Sequence, residues 1–174
     1  MNVKDVQKML YGLGLKNIYI DGIIGVQTEL YIKGVQYALG VEVDGIVGGK
    51  TLRAIDKFKE DSETIHFKSY EFQCNCCLQT MTEPSLKLYL EIIRYNFDEP
   101  IKVISGYRCS NHNKEVGGAV KSKHLTGYAA DIQVYNNKSI KVHSFCDKLF
   151  VKHGGLGRYD YFTHVDVRNS IARW

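Results

Sequence analysis

The chain has 174 residues, 44% hydrophobic and 24% charged, the composition of a globular protein and not of a disordered or fibrous one. Its length holds one mid-sized domain or a small module joined to a compact one. The net charge of +4 is spread without a lysine or arginine run, which gives no argument for nucleic acid, and no apolar stretch approaches the roughly 18–20 residues of a membrane span.

At the N-terminus, Lys4, Asp5 and Lys8 interrupt the apolar core that a secretory signal would need. The first predicted elements form a repeat. Asp21-Gly22-Ile23-Ile24-Gly25-Val26-Gln27-Thr28 returns 23 residues later as Asp44-Gly45-Ile46-Val47-Gly48-Gly49-Lys50-Thr51. Each copy follows a Val-Gln pair, Val6-Gln7 or Val35-Gln36, that opens an apolar helical pattern. Asp-Gly sets a tight turn, and the second glycine lets the backbone approach closely before the next helix begins. The unit reads as helix, glycine-rich turn, helix, repeated around a small core that includes Leu10, Leu15, Val35 and Ile55. It resembles the peptidoglycan-binding-like domain, a three-helix module with the same D-G-x-x-G-x-x-T element, which implies a wall anchor over residues 1–57. The same residues would build these turns with or without a glycan. The polar stretch 58–67 is expected to be a linker to a second domain, 68–174.

In the second half, Pro84 starts a helix whose apolar stripe runs from Leu86 to Phe97. Strands are predicted at 101–105, 130–134 and 162–168, and a helix at 139–151. Elements that do not alternate regularly suggest an α+β class: a mixed or antiparallel sheet with flanking helices. Five cysteines leave at least one thiol unpaired within the chain. Cys74 and Cys77 have the C-x2-C spacing of a zinc knuckle, yet no second C-x2-C or H-x3-H pair completes it. A structural metal, a disulfide and plain thiols all stay open for Cys74, Cys76, Cys77 and Cys109.

The chemistry falls in this half. His124 lies seven residues before Asp131, across Gly127, and the period of two in the closing strand aims Phe162, His164, Asp166 and Arg168 at one face. A hydrolytic zinc ion takes three N or O ligands and keeps one position open, and His124, Asp131 and His164 would supply that set. His66, His143 and His153 read as ordinary polar residues and His112 as part of a turn.

Ser105-Gly106-Tyr107-Arg108, His112-Asn113, Gly117-Gly118, the S-x-H-x-x-G-x-A-x-D stretch from Ser122 to Asp131 and the segment from Gly155 to Asp166 together resemble the zinc D-Ala-D-Ala carboxypeptidase family. Its relatives include the L-alanyl-D-glutamate endopeptidases of phage lysins and the hedgehog signalling domain. The resemblance implies one catalytic zinc on His124, Asp131 and His164, with Arg108 polarising the scissile carbonyl. Several relatives carry an acidic general base three residues before the last histidine, where this chain has Tyr161. That leaves Asp166 or Asp160 as the base. Asp166 is favoured because it shares the strand face of His164, with orientation of a ligand as its alternative role.

The implied protein is a peptidoglycan hydrolase, a monomer whose partner is bacterial peptidoglycan, without nucleic acid or membrane insertion. It would cut stem or cross-link peptide bonds as a carboxypeptidase or endopeptidase. A phage or prophage endolysin, made in the cytoplasm without a signal peptide and acting at the wall after release, fits the missing export signal. Two alternatives are a metal-retaining wall-binding protein without catalysis, favoured by Tyr161, and a cytoplasmic dipeptidase acting on free D-Ala-D-Ala.

Overall fold

A computed structural model describes residues 1–174. Helix α1 (Val3–Gly12) is capped by Asn2, whose side chain accepts the Asp5 N–H while the Asp5 carboxylate accepts the Asn2 N–H. Helices α2 (Val26–Leu39) and α3 (Gly49–Asp61) each follow one of the two Asp-Gly turns. A buried glutamine from the preceding helix closes each turn. Gln7 donates its amide to Asp21 Oδ1 (2.8 Å), the Ile23 carbonyl (3.1 Å) and Thr28 Oγ1 (3.2 Å), and accepts the Gly22 N–H (2.8 Å). Gln36 repeats the pattern with Asp44 (2.7 Å), Ile46 (3.0 Å), Thr51 (3.3 Å) and Gly45 (2.9 Å). The φ angles of Gly22 and Gly45, 85° and 77°, would strain any side chain, which is why Asp-Gly recurs.

Residues 58–67, expected as a linker, are built into the body of the protein. Helix α3 continues to Asp61, and Phe58, Thr64 and Phe67 are buried. Backbone groups of this stretch, with the side chains of Glu63 and the nearby Ser69, instead satisfy two charges buried on helix α4 (Pro84–Phe97). Lys87 Nζ donates to the Ser62 carbonyl (3.1 Å), Glu63 Oε1 (2.9 Å) and Ser69 Oγ (3.2 Å), and Glu91 accepts the His66 N–H (3.0 Å).

Every residue from Ser85 to Ile93 is buried, because α4 packs against α2 and also against the sheet. Gly34 of α2 permits the close approach, since a Cβ there would collide with Ile92. Tyr31 donates to the Leu149 carbonyl (3.3 Å), and the Asn17 side chain bonds Tyr89 and the backbone at Lys152 and His153. One apolar core therefore runs from Val6 to Val165.

The sheet holds β1 (Ile101–Ser105), β2 (Ala129–Val134), β3 (Gly154–Arg158), β4 (Thr163–Asp166) and β5 (Ile171–Arg173) in the order β1-β2-β4-β3-β5. All pairs are antiparallel except β3 with β5, so the sheet is mixed and the class α+β. Helices α5 (Ser110–Glu115) and α6 (Ser139–Leu149) complete the fold, and no helix is long and apolar enough to cross a membrane. Helix α5 stands where a turn around His112 was expected. Strands β3 and β5 were not read from the sequence. The glycines of β3 make room for its neighbours: a Cβ on Gly155 would strike the Asp166 carboxylate, and one on Gly157 the Trp174 indole.

Candidate metal centre

Asp131 and His164 are register partners on β2 and β4. His124 sits in a 3-10 turn, Lys123–Thr126, after which Gly127 (φ 71°) redirects the chain toward β2. The three donor atoms form a triangle. His124 Nε2 is 3.2 Å from His164 Nδ1 and 3.3 Å from Asp131 Oδ1, and His164 Nδ1 is 2.9 Å from Asp131 Oδ1. Tetrahedral N and O ligands about 2.0–2.1 Å from zinc stand about 3.3 Å apart, so the triangle has the size of one face of such a site and leaves the fourth position open.

The atoms behind the triangle fix it. His124 Nδ1–H donates to the Gly106 carbonyl (2.6 Å) and His164 Nε2–H to Asp166 Oδ2 (3.2 Å), so each ring turns its other nitrogen's lone pair toward the centre. The second oxygen of Asp131 accepts from Arg108 Nη2, and Arg108 Nε donates to Ser105 Oγ (2.7 Å). Asp166 is fully buried. Its Oδ1 accepts the N–H groups of Gly155 (3.0 Å) and Arg168 (3.1 Å), and the Arg168 guanidinium spans both of its oxygens.

Burial pushes the carboxyls of Asp131 and Asp166 up, but the hydrogen bonds they accept reverse the effect. Without a metal ion, protons on the His124 and His164 nitrogens that face Asp131 hold it, and His164 and Arg168 hold Asp166, well below the usual carboxylate range. For His164, burial pushes the pKa down, and the bonds to Asp131 and Asp166 more than offset it. Two oriented imidazoles and an ionised carboxylate are the donors a zinc ion takes.

The triangle opens into a groove of about 690 Å³. Arg108, Lys121, Lys123 and Arg168 line it, and Asp131 is its one carboxylate. Tyr159 and Phe162 stack with ring centroids 4.3 Å apart, and the Trp174 indole lies 5.0 Å from the His164 ring and donates to the Tyr159 hydroxyl (3.0 Å).

Of the residues singled out from the sequence, Arg108, His124, Asp131 and His164 meet at the groove. Asp166 stands on the far nitrogen of His164 with both oxygens engaged, and Asp160 is exposed between β3 and β4, outside the groove lining. Sequence reasoning missed Lys121, Lys123 and Trp174. The two lysines flank Ser122 directly before His124, a charge pattern that could have marked the rim, whereas nothing local to Trp174 announces its place over His164.

Residues 64–166 match the Peptidase M15 family, and residues 1–55 match the peptidoglycan binding domain family. The chain is 32% identical over 131 residues to the zinc D-Ala-D-Ala carboxypeptidase of Streptomyces albus G. That match covers 65% of this chain and 49% of the other, so the chain spans about half the length of this relative.

Proposed function

Because the chain belongs to the Peptidase M15 family, we propose that it is a zinc metallopeptidase of bacterial peptidoglycan, cutting a stem or cross-link peptide bond as a carboxypeptidase or endopeptidase. The observation that carries this reading is the donor triangle, braced from behind by Gly106, Arg108 and Asp166 and open toward the groove. With zinc bound, the centre gains a Lewis acid for a water nucleophile and a scissile carbonyl.

The chain's own residues do the rest. His124, Asp131 and His164 are the ligands. Arg108 keeps Nε on Ser105 and Nη2 on Asp131, which leaves Nη1 without a protein partner and available to a carbonyl or carboxylate oxygen of the substrate. Its charge persists at any working pH. Asp166 acts through His164 as a positioning residue, since its oxygens are taken by His164, Arg168 and backbone N–H groups. Lys121, Lys123 and Arg168 give the groove a positive rim that suits the carboxylates of wall peptides. Helices α1–α3 serve as the wall anchor, and the chain works as an endolysin, reaching the wall after release from the cell in which it is made.

The test is mass spectrometry of muropeptides after incubation of purified walls with the zinc-loaded chain and with His124→Ala. Loss of a terminal D-Ala or appearance of a new amino terminus, from the unmutated chain only, supports the reading and names the bond. No product from either refutes it. That outcome, combined with retained sedimentation on walls, would favour the second reading, a metal-retaining wall-binding protein, to which the engagement of both Asp166 oxygens and the place of Asp160 outside the groove lining point.

A further inference from the structure

We propose that Cys74, Cys76, Cys77 and Cys109 form a second metal site, a closed structural tetrathiolate for a zinc-type divalent cation. The four sulfurs lie within 4.8 Å of one another, although Cys109 is far from the others in sequence. Cys76 Sγ is 3.6 Å from Cys74 Sγ and 3.2 Å from Cys109 Sγ. Four thiolates about 2.3 Å from a tetrahedral zinc ion stand about 3.8 Å apart, close to this arrangement. Four sulfurs converging on one point match a cation site better than disulfides, which draw sulfurs together in pairs.

The backbone has the form of a ligand knuckle. Leu78 adopts φ 58°, its N–H bonds the Cys74 carbonyl (2.9 Å), and the Cys74 N–H bonds the Gln79 carbonyl (2.8 Å). Amide groups also donate to sulfur, from Cys109 to Cys74 Sγ (3.4 Å) and from His112 to Cys109 Sγ (3.5 Å), as suits thiolates holding a metal. Every residue from Asn75 to Met81 is exposed, so no apolar core fastens this loop. A cation on its four sulfurs would.

The staple sits beside the groove. The Phe72 carbonyl accepts the Tyr107 N–H (2.8 Å), and a Cβ on Gly106 would come within 2.5 Å of Phe72 Cα. Gly106 holds His124 through its carbonyl, and Arg108 is the neighbour of Cys109. Tying Cys109 to the 74–77 loop thus braces the corner that positions His124 and Arg108.

The experiment is metal analysis of the full chain purified under reducing conditions, with cobalt(II) then used in place of zinc. We expect two zinc equivalents in the unmutated chain, one in His124→Ala and one in the pair Cys76→Ser with Cys109→Ser. The cobalt form should show intense sulfur-to-cobalt charge transfer in the unmutated chain and in His124→Ala, and lose it in the cysteine pair. Only thiolates give that band, so the unmutated chain is decisive even if a variant fails to fold. A single equivalent with no sulfur band, or a Cys76–Cys109 disulfide in the reduced preparation, overturns the site. Neither result touches the His124-dependent equivalent, so this site and the proposed catalytic centre fail separately.

Discussion

Replacing Gln36 by alanine would empty the second Asp-Gly turn of the amide that closes it. The side chain is fully buried and makes three bonds of 2.7–3.0 Å, to Asp44, Ile46 and Gly45, with a longer one of 3.3 Å to Thr51. At about 1 kcal/mol net per bond, the loss is about 3 kcal/mol. The buried Thr51 hydroxyl, left with a weaker partner, pushes the cost up, while Asp44 at the surface takes water and brings it down. With a urea slope of about 2 kcal/mol per M, the midpoint should fall by roughly 1–2 M. Gln7 makes the corresponding bonds at 2.8–3.2 Å, so Gln7→Ala should cost a similar amount, about 3 kcal/mol. Far-ultraviolet circular dichroism reads the helices, and the single tryptophan, Trp174, reads the groove. Because one core joins them, both signals should shift together. A midpoint unmoved by Gln36→Ala, or a large loss for one glutamine and none for the other, would refute the reasoning.

Asp166→Asn should weaken zinc retention by about 10–100-fold in competition with a chelator, because the variant's amide group cannot hold His164 and Arg168 as the carboxylate does. Unchanged affinity with lost turnover would instead return Asp166 to the role of general base. Asp21 and Asp44 are both held below the ordinary carboxylate range, chiefly by the N–H groups of Ile23 and Ile46 and next by the two glutamine amides. A carboxyl lowered on folding contributes stability that is complete above its unfolded pKa of about 4 and is lost as pH falls through the folded value. The melting temperature should therefore drop on acidification below about pH 4, and the drop should shrink when both residues are changed to asparagine.

Much of the fold was legible because its signals are local. The Asp-Gly repeat, Pro84 at a helix start and the alternation of 101–105 each sit within one element, and His124, Asp131 and His164 were readable because their motifs preserve spacing. What failed was tertiary. Lys87 and Glu91 give the 58–67 stretch its partners, and neither lies within it. Gly155 and Gly157 blur β3 because they yield space to Asp166 and Trp174, residues of other segments. The period of two put Asp166 on the His164 face, yet it could not say which imidazole nitrogen the carboxylate meets. Cys74 and Cys77 lacked a second pair in sequence, and the chain supplies Cys76 and Cys109 in space.

The packing of α2 on α4 has a mechanical consequence. An anchor on a flexible tether raises local concentration but leaves orientation to chance. Here Gly34 seats against Ile92, Tyr31 meets Tyr89 edge to face, and Asn17 grips the backbone beyond α6, so the N-terminal helices and the groove move as one lever. A strand of polymer held by those helices would be offered to the metal centre at one bearing and one offset. Cutting the chain near residue 57 would strip the cover from Tyr89 and Ile92, releasing an apolar face and not an independent enzyme.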